Sequence, residues 1–400
     1  SHSCALLGNK TVQCWGYGYY GALGYGGTTS SSSPVNVSNL TNVKDIAEGY
    51  YHSCAVQDNG SVSCWGRNYD GQLGDGTTTN RNAPVSVSGI TTATKISSMD
   101  LNSCALLTDG TVKCWGSNRY GQLGDGTTTN RSTPVSVTGI STATQISLGG
   151  SHSCARLSDS TIKCWGQNLY GQLGNGSTSD SSTPVTVSGI SSASQVIAGS
   201  THTCAILSNG TMKCWGNPDI SGRLGDGIID GFAPVTVIGV TNAVEISSGS
   251  QHTCARISDG TVKCWGGMYK GDGTWDVINA TPAQISGITG AVQLSSPGTW
   301  GACARLSNGS LKCWGRGYNN VFGLRHVDGS KVPVSVPVSG VIDTGSGVYY
   351  GACAVLSGGS AKCWGNSASF WLGDGNDKFS GKSLLPVSVS GLSNGTQVVA

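Results

Sequence analysis

The sequence predicts an all-β array of eight similar units, stacked or radial, and three observations carry that prediction. The stretch Cys104 to Gly116, CALLTDGTVKCWG, returns with small changes at Cys54, Cys154, Cys204 and Cys254 and more loosely at Cys4, Cys303 and Cys353, a period of about fifty residues in a chain of 400. Short apolar runs of strand character alternate with Gly-rich turns. Apolar residues at helical spacing are missing throughout. One unit cannot bury the face of its own sheet, so neighbouring sheets must pack on one another.

The repeated kernel reads as a β-hairpin. Leu106 and Val112 flank Thr108-Asp109-Gly110, a three-residue loop in which the last position is left-handed and suits Gly. In that register Leu107 faces Thr111, Ala105 faces Lys113, and Cys104 lies opposite Cys114. Opposed residues of an antiparallel pair have Cα atoms about 4.5 to 5.5 Å apart, within the span of a disulfide. One cross-strand disulfide per unit uses all sixteen cysteines: Cys4 with Cys14, Cys54 with Cys64, Cys104 with Cys114, Cys154 with Cys164, Cys204 with Cys214, Cys254 with Cys264, Cys303 with Cys313, and Cys353 with Cys363. Zinc knuckles would need CxxC pairs, and the chain has none. No metal is expected.

In chain order, the first unit runs from Ser1 through Cys4 and Cys14 to the strand Pro34 to Val37 and then Val43 to Ala47. Units two and three are near duplicates, each with GQLGDGTTTNR, starting at Gly71 and Gly121, and Pro-Val-Ser-Val from Pro84 and Pro134. Units four and five keep the plan, with Pro184 and Pro234. Unit six shortens the loop to Gly271-Asp-Gly-Thr-Trp275, unit seven replaces it with Asn319 to His326, and unit eight restores Leu372-Gly373-Asp374-Gly375 behind Phe370 and Trp371. The final Thr396-Gln-Val-Val-Ala400 matches Thr144-Gln-Ile-Ser-Leu148, the segment just ahead of Ser151-His-Ser-Cys154, and the chain opens on Ser1-His-Ser-Cys4. Residues 1–400 therefore read as one ring, closed by pairing 396–400 with the first unit, which hides edge strands. A segment of a longer open array would show the same phase match.

Cys-Ala-Leu-Leu-x-Asp-Gly-Thr-Val-Lys-Cys-Trp-Gly-x-Asn-x-Tyr-Gly-Gln-Leu-Gly resembles the repeat of the regulator of chromosome condensation family, in its bacterial, cysteine-bearing, secreted form. The resemblance covers nearly the whole chain and is closest in units two to five. It implies a β-propeller of four-stranded antiparallel blades. Eight copies point to eight blades, with the family's commoner seven, or an open array, as the alternatives. Family members bind partners through one face of the ring, one secreted bacterial member inhibits an enzyme, and the founding member exchanges nucleotide on a small GTPase. Trp15, Trp65, Trp115, Trp165, Trp215, Trp265, Trp314 and Trp364, one per blade, are expected in the blade interfaces.

Paired cysteines imply an oxidising compartment, so the protein is expected to be secreted, extracellular or at a cell surface. Ten N-x-Ser/Thr triplets, beginning with Asn9, are compatible with export. Charged residues make up 11% and net charge is +2, which excludes a nucleic-acid footprint. No apolar run approaches the ~18 residues of a membrane span.

His2, His52, His152, His202 and His252 each precede a first cysteine by two residues. Copies on separate blades stand about 10 Å apart, too far to share a metal, so these are read as structural histidines bonded to a neighbouring backbone. Gly16 to Gly21 matches GxGxxG as a string but no helix follows it, and Asp-Gly-Thr is turn chemistry. No cofactor and no catalytic residue is expected, hence no enzyme. The irregular aromatics Tyr19, Tyr20, Tyr50, Tyr51, Trp275, Trp300, Tyr349, Tyr350, Phe370 and Trp371 fall in units that a closed ring makes contiguous or in the adjoining turn, and are the candidate partner-binding residues. The expected function is an interaction or structural propeller that binds a protein partner or assembles with itself into a surface structure or filament. A lectin-like propeller, with glycan pockets in the GDGTTTN loops, is the alternative; nucleotide exchange or enzyme inhibition ranks below both.

Overall fold

The computed structural model describes residues 2–217, 222–227, 232–267, 279–296, 301–315, 330–346, 351–366, 372–376 and 382–399. Its strands form eight four-stranded antiparallel sheets arranged as the blades of a propeller. In the fourth blade the strands are Ala143–Leu148, His152–Leu157, Ile162–Gly166 and Ser181–Thr186, hydrogen-bonded in chain order. The first blade is composite, ordered Ser31–Asn36, Val12–Gly16, His2–Leu7 and Gly395–Val399. There Cys4 faces Val399, Ala5 faces Val398 and Leu6 faces Gln397. Two further ties join blades eight and one: the Gly375 amide donates to the Ser32 carbonyl at 2.7 Å, and Trp15 packs with Cys353, Leu372 and Val398.

The kernel hairpin has the register its turn dictates. Val112 faces Leu106, Lys113 faces Ala105 and Cys114 faces Cys104. Gly110 has φ +78°, and the Asp109 carboxylate accepts the Thr111 amide at 2.9 Å and hydroxyl at 2.6 Å. All eight kernel disulfides are present, each with Cα atoms 4.1 Å apart. No cysteine is free.

The hydrophobic core lies between blades. Trp165 packs on Cys104, Cys114, Leu123 and Val137 of the preceding blade, and its Nε1 donates to the Gln122 carbonyl at 2.9 Å. The indole rests on Gly124, φ +70°, where a Cβ would sit 2.8 Å from Trp165 Nε1. Glycine alone fits both demands. All eight repeat tryptophans are essentially fully buried.

The histidines form a second interblade latch. His52 Nε2 bonds Ser103 Oγ at 2.8 Å, His152 Nε2 bonds Thr203 Oγ1 at 2.8 Å, and His202 Nε2 bonds Thr253 Oγ1 at 2.9 Å. The Thr203 hydroxyl hydrogen goes to the Gln172 carbonyl at 3.0 Å, the same oxygen that takes Trp215 Nε1. His152 is thereby assigned as the Nε2–H tautomer. The expected backbone partner is replaced by a hydroxyl of the next blade, because the residue after the histidine in that blade is Ser or Thr and projects back across the interface. Burial lowers His152 to about 4 and, with the Arg67 charge adding to it, His52 to about 3.

Candidate interaction surface

In blades two to four, the loop after the tryptophan is built around one buried asparagine. Asn118 Oδ1 accepts the Leu123 amide at 2.9 Å, its Nδ2 donates to the Thr127 and Thr129 carbonyls at 3.0 Å each, and its backbone amide donates to Asn130 Oδ1 at 2.8 Å. Asp125 closes the loop by accepting the Thr127 amide at 3.0 Å, its hydroxyl at 2.7 Å and Arg131 Nε at 2.8 Å. Burial opposes ionisation of Asp125, but these donors outweigh it and hold the carboxyl below its usual range. Asn68 and Asn168 repeat the arrangement. The buried asparagine and the aspartate of this loop are thus bonded within it, whereas Thr78 and Thr128 are exposed.

The first blade rebuilds the same loop with tyrosine. Gly18 stands where the others have asparagine, and a Cβ there would collide with the Thr29 carbonyl and the Ser30 amide. Tyr25 occupies the place of Asp75, its hydroxyl donating to the Thr29 carbonyl at 3.1 Å and accepting the Thr29 amide at 3.2 Å. Tyr17 and Tyr20 replace Arg67 and Asp70, and Tyr19 aligns with Tyr69. Tyr20 has φ +61°, a left-handed conformation that costs a non-glycine residue about 1 to 3 kcal/mol and concentrates at functional sites.

These tyrosines meet those of the second blade. Tyr17 stacks on Tyr19 with centroids 5.5 Å apart and lies 5.8 Å from Tyr51. Tyr20 is edge-on to Tyr19, Tyr51 and Tyr69 at 5.3, 5.5 and 5.6 Å. Tyr50 and Tyr51 meet at 4.3 Å. Tyr19 is 58% exposed, Tyr69 56% and Tyr50 40%, so six rings form a continuous, partly wet aromatic surface. Of the candidate partner-binding residues, Tyr19, Tyr20, Tyr50 and Tyr51 come together here; Trp275, Trp300, Tyr349, Tyr350, Phe370 and Trp371 lie outside the described residues. Tyr69, absent from those candidates, is a full member of the cluster.

Among the described residues one group has metal-ligand spacing, His2, Cys4 and Glu48. The Cys4 sulfur is bonded to Cys14. Burial pushes Glu48 up to about 8 and holds His2 well below the usual histidine range, so at neutral pH the two face each other largely uncharged across 3.9 Å. No helix among the described residues is long and apolar enough to cross a membrane.

Eight four-stranded blades, with a buried tryptophan in each and histidine–hydroxyl latches between some of them, define a repeat β-propeller. The chain belongs to the RCC1-like domain family: that family's profile matches residues 1–238, and the regulator of chromosome condensation (RCC1) repeat matches residues 243–272. Solved structures share the fold. Human WBSCR16 is 21% identical, with 85% of this chain and 98% of that one covered and a TM-score of 0.70. Prp20p from Saccharomyces cerevisiae, described with its binding to Gsp1p and histones, is 22% identical over 86% of this chain and 91% of its own, with a TM-score of 0.66. Yeast RCC1 (Prp20) bound to Kap60 is 18% identical, covering 98% and 89%, at 0.65. No curated sequence is significantly similar to the chain.

Proposed function

We propose that the protein is a secreted or surface-exposed interaction propeller, without enzymatic activity, that holds a protein partner against the tyrosine surface of blades one and two. The observation that carries this is the replacement of charged loop residues by tyrosines in the first blade, leaving exposed rings that meet those of the second. Tyrosine supplies large contact area with few rotatable bonds and a polar tip, which is why it is enriched at the energetic centres of interfaces. Sixteen disulfide-bonded cysteines favour an oxidising compartment. The yeast propellers of this fold bind proteins, which agrees with the reading.

The test is a selection of folded-domain binders on the native protein, with counter-selection on Tyr19→Ser/Tyr50→Ser, and light scattering over a concentration series alongside. Binders that lose about tenfold or more in affinity on the double variant support the assignment. Binders indifferent to it remove the tyrosine surface as the docking site. Concentration-dependent growth that the same variant abolishes makes the partner a second copy of the chain. Sixteen alkylatable thiols in the unreduced native protein would overturn the oxidising compartment.

A further inference from the structure

Between blades one and two the tyrosine surface opens into a cleft of about 490 Å³ lined by Tyr19, Tyr20, Thr28, Tyr69, Asn80 and Asn82. We infer that this cleft takes a proline-rich segment in the polyproline II conformation, an inference that rests on the protein-binding role above and names the class of partner.

Ring geometry is the first argument. Tyr20 meets Tyr19 at an interplanar angle of 86° and Tyr69 at 77°, so two exposed rings each stand steeply against a third, and all three line the cleft. Aromatic ridges with slots between them receive the flat pyrrolidine rings of polyproline II, whose three-residue turn advances about 9 Å. The chain meets such a groove already extended, so little conformational entropy is lost on binding.

Hydrogen-bond inventory is the second. Asn80 Oδ1 accepts the Asn68 amide at 2.8 Å, and Asn80 Nδ2 has no partner among the described residues. The Tyr19, Tyr20, Tyr69 and Thr28 hydroxyls have no partner among the described residues. Asn82 Nδ2 is engaged by the Gly26 carbonyl at 2.6 Å. The carboxylates nearby are also engaged: Asp75 by Thr77 and Arg81, Asp70 by Arg67 and Asn130. The cleft therefore offers donors and lacks a free carboxylate. A proline segment presents carbonyls and no N–H, which complements that set.

Preorganisation is the third. The Gly26 amide donates to the Asn82 carbonyl at 2.7 Å while Asn82 Nδ2 returns a bond to Gly26, so the two walls are tied across the blade boundary. The left-handed Tyr20 is fixed between them.

Repeat four supplies the control for a test. Asp180 holds the position of Asn80 there and accepts the Asn168 amide at 2.7 Å, so Asn80→Asp keeps the loop bond and deletes the free donor. Fluorescence anisotropy with labelled decaproline and with peptides selected from a random display library on the intact protein is the measurement. Selected sequences should be proline-rich, with Tyr69→Ala and Asn80→Asp each weakening them about tenfold and Tyr170→Ala, in blade four, leaving them unchanged. Selection of proline-free peptides that still depend on Tyr69 overturns the polyproline inference while protein binding stands. A neutral glycan bound on an array in a Tyr69-dependent way overturns both. Binding of decaproline that ignores Tyr69→Ala and Asn80→Asp removes the cleft as its site.

Discussion

Blades one and three hold the same loop on the same frame with opposite chemistry. Blade three fixes it from inside, with the buried Asn118 bonding to four segments of its own loop and Asp125 closing the far end. Blade one replaces that asparagine with Gly18, lets the chain collapse onto Thr29, and secures the loop with tyrosines that are partly exposed. A loop knotted by its own polar atoms keeps its asparagine and aspartate from a ligand. A loop held by aromatic edges retains faces and hydroxyls that are still free to bind, and strain at Tyr20 is the cost of that arrangement.

The strongest way to break the comparison is to remove the knot. Asn118→Gly converts blade three to the blade-one backbone choice without its tyrosines and leaves buried donors and acceptors unmatched, which should lower stability by about 4 kcal/mol in urea unfolding. A loss under about 1 kcal/mol would mean the knot is incidental.

A similar contrast of His against Asn recurs at the interblade latch, where blade three carries Asn102, and it predicts acid sensitivity. His152 titrates at about 4 when folded and about 6.5 when unfolded, so the unfolded chain takes the proton first. Its contribution is complete above pH 6.5 and is lost as pH falls toward 4, about 3 kcal/mol in all; His52 adds a loss that extends to about pH 3. Glu48, at about 8 when folded, acts in the reverse sense: its term is complete below the ordinary carboxyl pKa and is lost as pH rises to 8. His152→Asn should flatten the drop in urea midpoint between pH 7 and 4.5. An unchanged slope would place the acid sensitivity elsewhere.

Gly18→Asn sharpens the comparison from the other side. The side chain has no room beside the Thr29 carbonyl, so restoring the common residue should destabilise by about 2 kcal/mol, and a gain in thermal midpoint would show that blade one still accommodates the knot. The smallest effect is expected at Tyr20→Gly, where release of the left-handed strain offsets the lost ring contacts to within about 1 kcal/mol, while Tyr120→Gly, without that strain, should be the more damaging of the two by differential scanning calorimetry.

Local geometry made much of this legible in the sequence. Thr108-Asp109-Gly110 sets the hairpin register, and the register alone puts Cys104 against Cys114. The match of residues 396–400 to 144–148 anticipated the strand that completes blade one. What sequence missed depends on contacts between blades. The partner of His2, His52, His152 and His202 is a hydroxyl some fifty residues away, signalled only by the Ser or Thr that follows the histidine position in the next blade. Tyr69 stands at the position of Arg119 and Leu169 in the next two loops, and nothing in its own unit marks the neighbour, Tyr20, that recruits it.

The strand Gly395–Val399 gives the ring a temporal order. The ribosome delivers His2–Leu7 nearly four hundred residues ahead of its sheet partner Gly395–Val399, an interval of about half a minute at ordinary elongation rates. Throughout that interval one edge of blade one is open to any passing strand. The blade bearing half of the tyrosine surface therefore waits longest for one of its strands, and a chain cut ahead of Gly395 presents an unlatched first blade.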